Sequence, residues 1–159
     1  GGTGMDGLTH LDEEGRARMV DVGSKPATDR SATAEAFIVL EEATRASLFA
    51  GDLPKGDALP VARIAAIQAA KRTADLIPLC HPIPISGIDV EITQVDDGAR
   101  VEVTVRTNAP TGVEMEAMTA AAIGAMTLYD MVKGVDRGAV IGPVRLLAKS
   151  GGRSGEWTR

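Results

Sequence analysis

Aromatic residues are scarce in this chain: one tryptophan, one tyrosine and two phenylalanines, 3% of 159 residues. A core of ordinary size must therefore be built from Ala, Val, Ile, Leu and Met, which favours close packing of helices and sheet. A single cysteine excludes an intramolecular disulfide. With only two histidines beside it, the chain is also short of ligands for a zinc site, which normally takes three or four Cys, His or carboxylate groups. No apolar run approaches the ~20 residues of a membrane span. Basic charge is not in excess, since 17 Lys and Arg stand against 22 Asp and Glu for a net charge of -5. That balance excludes a general coat for nucleic-acid phosphates while leaving local basic sites open. The opening GGTGMDG lacks the basic and apolar regions of a signal peptide, so a cytoplasmic location is expected. Residues 1–7 are expected to stand outside the fold as a disordered or expression-derived segment, and residues 8–159 to form one domain.

What the chain does contain is clear local patterning. Met19 to Arg30 reads as a short extended segment followed by a polar turn, and SATAEAFIVL, Ser31 to Leu40, as a strand. EEATRASLFAG predicts a short helix stopped at Gly51, and DLPKG a loop that carries Lys55. Asp57 then caps a helix that tolerates Pro60 in its first turn and runs to about Ala74. Ile77-Pro78 ends it, because a residue before proline is disfavoured in the helical region. Ile88, Val90 and Ile92 alternate with Asp89, Glu91 and Thr93, and Val101, Val103 and Val105 with Glu102, Thr104 and Arg106. Period-two alternation on both sides of DDG predicts a β-hairpin with one buried face. Val113 to Gly134 predicts a long helix, and AVIGPVRLLAK a strand that runs into the glycine-rich KSGGRSG. The order of elements fits an α+β ferredoxin-like sandwich, an antiparallel sheet covered by helices.

Two stretches could carry chemistry. DLIPLCHPIP holds the only cysteine, Cys80, beside His81, bracketed by prolines. A metal site fails on ligand count, and a Cys-His nucleophile pair fails because neighbours on an extended segment point to opposite sides. Cys80 then reads as a small buried hydrophobe, and His81 either as a structural histidine at a helix exit or as a side chain presented to a ligand. On the long helix, Glu116, Thr119, Thr127, Asp130 and Lys133 lie within about 120° of one another on an otherwise apolar wheel. Asp130 and Lys133 are i,i+3 neighbours, either an ordinary exposed ion pair or two groups tuned by each other. Glu116 and Asp130 are separated by ~21 Å of helix rise, too far to meet at one reacting atom. If both act, they serve opposite ends of a long ligand or different sites completed by a second subunit. Arg30, Lys55, Lys71, Arg72, Arg145, Lys149 and Arg153 recur near turns, and KSGGRSG is either a solvated flexible tail or an anion-binding segment.

Taken together, MVDV, KGDALPVARIAAIQAAKRTADLIPLCHP, TGVEMEAMTAAAIGAMTLYDMVKG and VIGPVRLLAKSGGRSG resemble the cyclic pyranopterin monophosphate synthase family, the C protein of molybdenum-cofactor biosynthesis. The resemblance runs from about Leu8 to Trp157, with Gly134 and Arg153 departing from the family's residue types. It implies an enzyme, a phosphorus-oxygen lyase. Its substrate would be 3′,8-cyclo-7,8-dihydroguanosine 5′-triphosphate, supplied by an upstream GTP cyclase. The products would be cyclic pyranopterin monophosphate and pyrophosphate. A non-catalytic nucleotide-sensing module on the same fold is the rival reading. The resemblance further implies a homohexamer, a trimer of dimers with active sites at the dimer interface. No cofactor is required, though magnesium can accompany the triphosphate or pyrophosphate. The family's binding segments fall on Leu79, Cys80 and His81 and on Met115 and Glu116. Its active-site aspartate falls on Asp130, its two important lysines on Lys55 and Lys133, and further cationic positions on Arg30 and Lys149. Lys71 joins these as a candidate for stabilising the departing pyrophosphate.

Overall fold

The computed structural model describes residues 15–159. The expectations for residues 1–7, and the first part of the single domain expected from residue 8, lie outside the described residues. Five strands form one antiparallel sheet: β1 (Thr28–Val39), β2 (Gly87–Val95), β3 (Gly98–Ala109), β4 (Val140–Ser150) and β5 (Trp157–Thr158), in the spatial order β2-β3-β1-β4-β5. The helices are α1 (Glu42–Ala50), α2 (Ala58–Lys71), α3 (Thr73–Leu76) and α4 (Glu114–Val132). Leaving β5 aside, a β-α-β-β-α-β run whose two long helical crossovers return to the same sheet is the expected ferredoxin-like plan.

Alternation makes the core. Ala32, Ala34, Ala36 and Ile38 of β1, with Ala99, Val101, Val103 and Val105 of β3, are each no more than 1% exposed and face the helices. Against them pack Ala58, Ala62, Ala66 and Ala70 of α2 and Ala117, Ala120, Ala121, Ala125 and Leu128 of α4. The scarcity of aromatics is thus answered by proximity. A Cβ on Gly124 would lie 3.0 Å from Val101 Cγ1 and 3.5 Å from Ala66 Cβ, so α4, α2 and β3 meet at a point that has little room for one. The opposite face of the sheet carries the other half of each strand's residues. There Glu35 is buried, and its carboxylate accepts from Arg100 Nε at 2.7 Å and Arg145 Nε at 2.6 Å.

The elements differ from expectation at their ends. The turn expected to hold Arg30 is already strand, because Thr28 to Arg30 pair with Thr107 to Ala109 of β3. The helix begun by Asp57, whose side chain accepts from Leu59 N at 3.2 Å, does not run unbroken to Ala74. It breaks at Arg72, where the buried Thr73 hydroxyl donates toward the Ala69 and Ala70 carbonyls at 2.9 and 3.1 Å and competes with the helical ladder. The C-terminal stretch after β4 folds back, so that β5 pairs with β4 at Ala148↔Thr158 and Lys149↔Trp157.

Candidate active site

The N-terminal end of α4 opens into a cleft of about 490 Å³. Its walls come from three parts of the chain. Val20 and Val22 lie on one side, Leu79, Cys80 and His81 on another, and Met115 and Glu116 line it from the first turn of α4. The proline-bracketed segment holds its place through backbone bonds. Cys80 N donates to Ile77 O at 3.1 Å, and Thr107 Oγ1 donates to Pro84 O. The segment therefore stays beside α4 although it lies in neither helix nor strand.

Glu116 is the unusual wall residue. It is 3% exposed, its Oε2 lies 3.4 Å from Cys80 Sγ, and its Oε1 has no hydrogen-bond partner. Burial pushes its carboxyl above the usual carboxylate range, and the nearby Glu114 adds to the rise. Burial, together with the Glu116 carboxylate, pushes the Cys80 thiol up to about 11, so this cysteine is no nucleophile. Lys71 lies behind the same wall, in a small chamber of about 100 Å³ shared with Asp75, His81 and Glu116.

A second cavity of about 250 Å³ adjoins the first, and Lys25, Thr111, Gly112 and Glu114 line both. This basin is cationic. Arg30, Lys149 and Arg153 join Lys25 around it, with Glu114 the carboxylate among them. Arg30 is fixed by donating from Nε to Ala109 O at 3.0 Å and from Nη2 to Pro110 O at 3.3 Å. Lys149 Nζ lies 3.8 Å from Glu114 Oε2. Four positive groups against one carboxylate, next to an apolar-walled cleft, suit a ligand whose anionic part is joined to a less polar one.

Asp130, Lys133 and Lys55 form the third group, at the other end of α4. Lys133 Nζ lies 2.9 Å from Asp130 Oδ1. Lys55, on the loop between α1 and α2, donates to Asp130 O at 3.1 Å and Oδ2 at 3.4 Å. Hydrogen bonding to Lys133, then the charge of Lys55, hold the Asp130 carboxyl below its usual range. All three side chains are about half exposed.

Within one chain, then, the fold brings together Leu79, Cys80, His81, Met115 and Glu116, sets Lys71 behind them, and places Arg30 and Lys149 next door. It does not bring Lys55, Asp130 and Lys133 to them, since Asp130 stands ~21 Å of helix rise from Glu116. Sequence reasoning missed Lys25, Thr111, Gly112 and Glu114. Lys25 carried one usable signal, a basic residue in the polar turn GSKPATDR, which the fold places opposite the glycine-rich segment. Among the described residues no group of three or more His, Cys, Asp or Glu could hold a metal ion. Among them, too, no helix is long and apolar enough to cross a membrane.

A profile described as the MoaC family matches residues 19–152. The chain belongs to that family. Among curated relatives, a cyclic pyranopterin monophosphate synthase of Corynebacterium glutamicum (strain R) is 53% identical over 97% of this chain and 99% of its own length. A protein of the same name from Parvibaculum lavamentivorans is 55% identical over 94% of this chain and 95% of the relative. Another, from Streptomyces coelicolor, is 52% identical over 98% and 91%. Membership gives the geometry a reaction class to be tested against.

Proposed function

We propose that this protein is a cyclic pyranopterin monophosphate synthase of molybdenum cofactor biosynthesis. It converts 3′,8-cyclo-7,8-dihydroguanosine 5′-triphosphate to cyclic pyranopterin monophosphate and pyrophosphate. The observation that carries this reading is the joined pair of cavities, an apolar-walled cleft bearing Glu116 and His81 opening into a basin of Lys25, Arg30, Lys149 and Arg153. The cyclised ring system occupies the first and the polyphosphate the second, while Lys71 adds positive charge behind the cleft. Lys55 and Lys133 are the acid and base candidates for the ring rearrangement, with Asp130 orienting both ammonium groups. In the last step a sugar-derived hydroxyl attacks the α-phosphorus, its proton passes to a lysine amine, and the α-β phosphoanhydride bond breaks. The cationic basin stabilises the departing pyrophosphate.

A second copy completes the arrangement. Because the two clusters stand at opposite ends of α4, the Lys55-Asp130-Lys133 group of one subunit serves the cleft of another. A homohexamer built as a trimer of dimers supplies that contact. Magnesium enters only as the counter-ion of the triphosphate or pyrophosphate, no resident cofactor is needed, and the reaction belongs in the cytoplasm. The rival sensing module is not favoured, because the relatives carry the name of a synthase and a sensor has no use for two lysines bridged by one aspartate. An anaerobic incubation with the cyclised triphosphate, following pyrophosphate and the fluorescent oxidised pterin, tests the reading. Both products are expected. Saturable binding with neither product would replace the synthase with the sensor.

A further inference from the structure

The loop that carries Arg153 has few means of holding itself. Between β4 and β5 it runs Gly151, Gly152, Arg153, Ser154, Gly155, Glu156, and its three glycines have φ of 92°, 72° and 63°. Glycine loses more freedom on ordering than any other residue, and fixing each backbone costs ~1–2 kcal/mol. Against that cost the loop's internal backbone bond is Gly155 N donating to Gly152 O at a long 3.3 Å. Its first two glycines lie close against Asp29 and Arg30 of β1, and the rest of its order comes from its two ends. One end is tied by Ser150, whose Oγ lies 2.7 Å from Ser31 Oγ of β1. The other end is β5, only two residues long.

β5 is held better than its length predicts. Arg159 N donates to Leu147 O at 2.7 Å, and Arg159 Nε donates to Leu146 O at 2.7 Å. The guanidinium also lies 5.7 Å from the centre of the Trp157 ring, within cation-π range. Trp157 pairs directly with Lys149, which lines the cationic basin. Pairing β5 to β4 thus anchors the Arg153 loop at one end and Lys149 from its flank.

We infer that Trp157 and Arg159 are positioning residues, a C-terminal strap whose docking on β4 orders the Arg153 loop and Lys149 for binding a polyphosphate. This rests on the basin being the polyphosphate subsite proposed above. Neither side chain touches the anion. They act by removing, before binding, the entropy that the glycine loop would otherwise lose on closing round it.

The test uses inorganic pyrophosphate as the probe and the full chain throughout. Trp157 is the only tryptophan, so its emission reports on the strap without labelling. Titrating the unaltered protein with pyrophosphate should leave that emission nearly unchanged, because the strap is docked before the anion arrives. Calorimetry should show pyrophosphate affinity about tenfold weaker in Trp157→Ala/Arg159→Ala. Trp157→Phe, which keeps a ring beneath the guanidinium, should stay within about threefold of the unaltered protein. With the cyclised triphosphate, the double variant should show a raised KM and a retained kcat, a split that general destabilisation would not give. If the double variant does not fold, Arg159→Ala alone, which leaves Trp157 in place, carries the same comparison. A large saturable shift of Trp157 emission on adding pyrophosphate, which would mean that the strap docks only with the anion, or unweakened affinity in the double or the Arg159→Ala variant, overturns the strap. Failure of the unaltered protein to turn over substrate while it still binds pyrophosphate with an affinity that Trp157→Ala/Arg159→Ala weakens would sink the synthase reading alone.

Discussion

Replacing Gly151 with alanine is the sharpest probe of how the cationic basin is built. Gly151 has φ of 92°, and an added Cβ would lie 2.1 Å from Asp29 O and 3.0 Å from Arg30 Cα. The left-handed conformation alone costs a non-glycine residue ~1–2 kcal/mol. Both neighbours are backbone of β1, so the clash cannot be relieved by turning a side chain. Either β1 or the loop must shift by roughly 1 Å, which opens the Ser31↔Ser150 pairing and loses its hydroxyl bond, worth another ~1 kcal/mol. The sum is about 2–3 kcal/mol, and a domain of this size should lose roughly 4–12 °C in Tm. Displacement of Arg30 and Lys149 should also weaken pyrophosphate binding. Gly138→Ala is the control, since nothing lies within 4 Å of its added Cβ and its φ is not positive. Thermal unfolding of both variants, with calorimetric titration of pyrophosphate, reads the result. A Gly151→Ala protein with Tm and affinity equal to those of Gly138→Ala would refute the close approach of the loop to β1.

Lys133→Ala should lower turnover by at least ~10²–10⁴-fold, the range general acid-base groups contribute, while circular dichroism and assembly mass stay unchanged; near-normal turnover would remove Lys133 from the mechanism. Asp130 titrates below the usual carboxylate range because Lys133 and then Lys55 stabilise its anion, so its pairing holds at neutral pH and is lost as pH falls through the depressed folded value. An NMR titration of its carboxyl should show this, and Lys133→Ala should return the midpoint upward. Glu116 has the opposite sign: burial raises its folded pKa, so the protein loses stability as pH rises from the ordinary carboxylate value through the raised one. Glu116→Gln should therefore unfold at a higher temperature than the unaltered protein at neutral pH and show no gain in acid; a lower Tm at neutral pH would contradict the burial argument. Cys80, raised to about 11 from 9.0, should react with iodoacetamide at about pH 8 roughly a hundredfold more slowly than an unperturbed thiol.

Much of this protein is legible in one dimension. Alternation at Ile88 to Ile92 and Val101 to Val105 determines the hairpin, because a strand with one wet face must place its apolar residues at period two. The absence of cysteine pairs, membrane-length apolar runs and excess basic charge is compositional and needs no coordinates. The motifs around Lys55, His81, Glu116 and Asp130 indicate the family, and the helix rise alone separates Glu116 from Asp130.

Other features were decided only by the tertiary structure, since they depend on contacts between residues far apart in the chain. Thr73, an unremarked residue inside a helical pattern, splits α2 from α3 because its hydroxyl is buried where it can reach two carbonyls. The Glu116 carboxyl is pushed above its usual range because the fold buries it, against the opposing hydrogen bond from Cys80, 36 residues away, and a sequence position carries no dielectric. Lys25 and Arg153 face one basin because the segment before β1 and the loop after β4 meet beside the centre of the sheet. KSGGRSG reads equally as a loose tail or as an anion site until β5 pairs with β4, for glycine encodes freedom, and only a partner strand converts that freedom into one conformation.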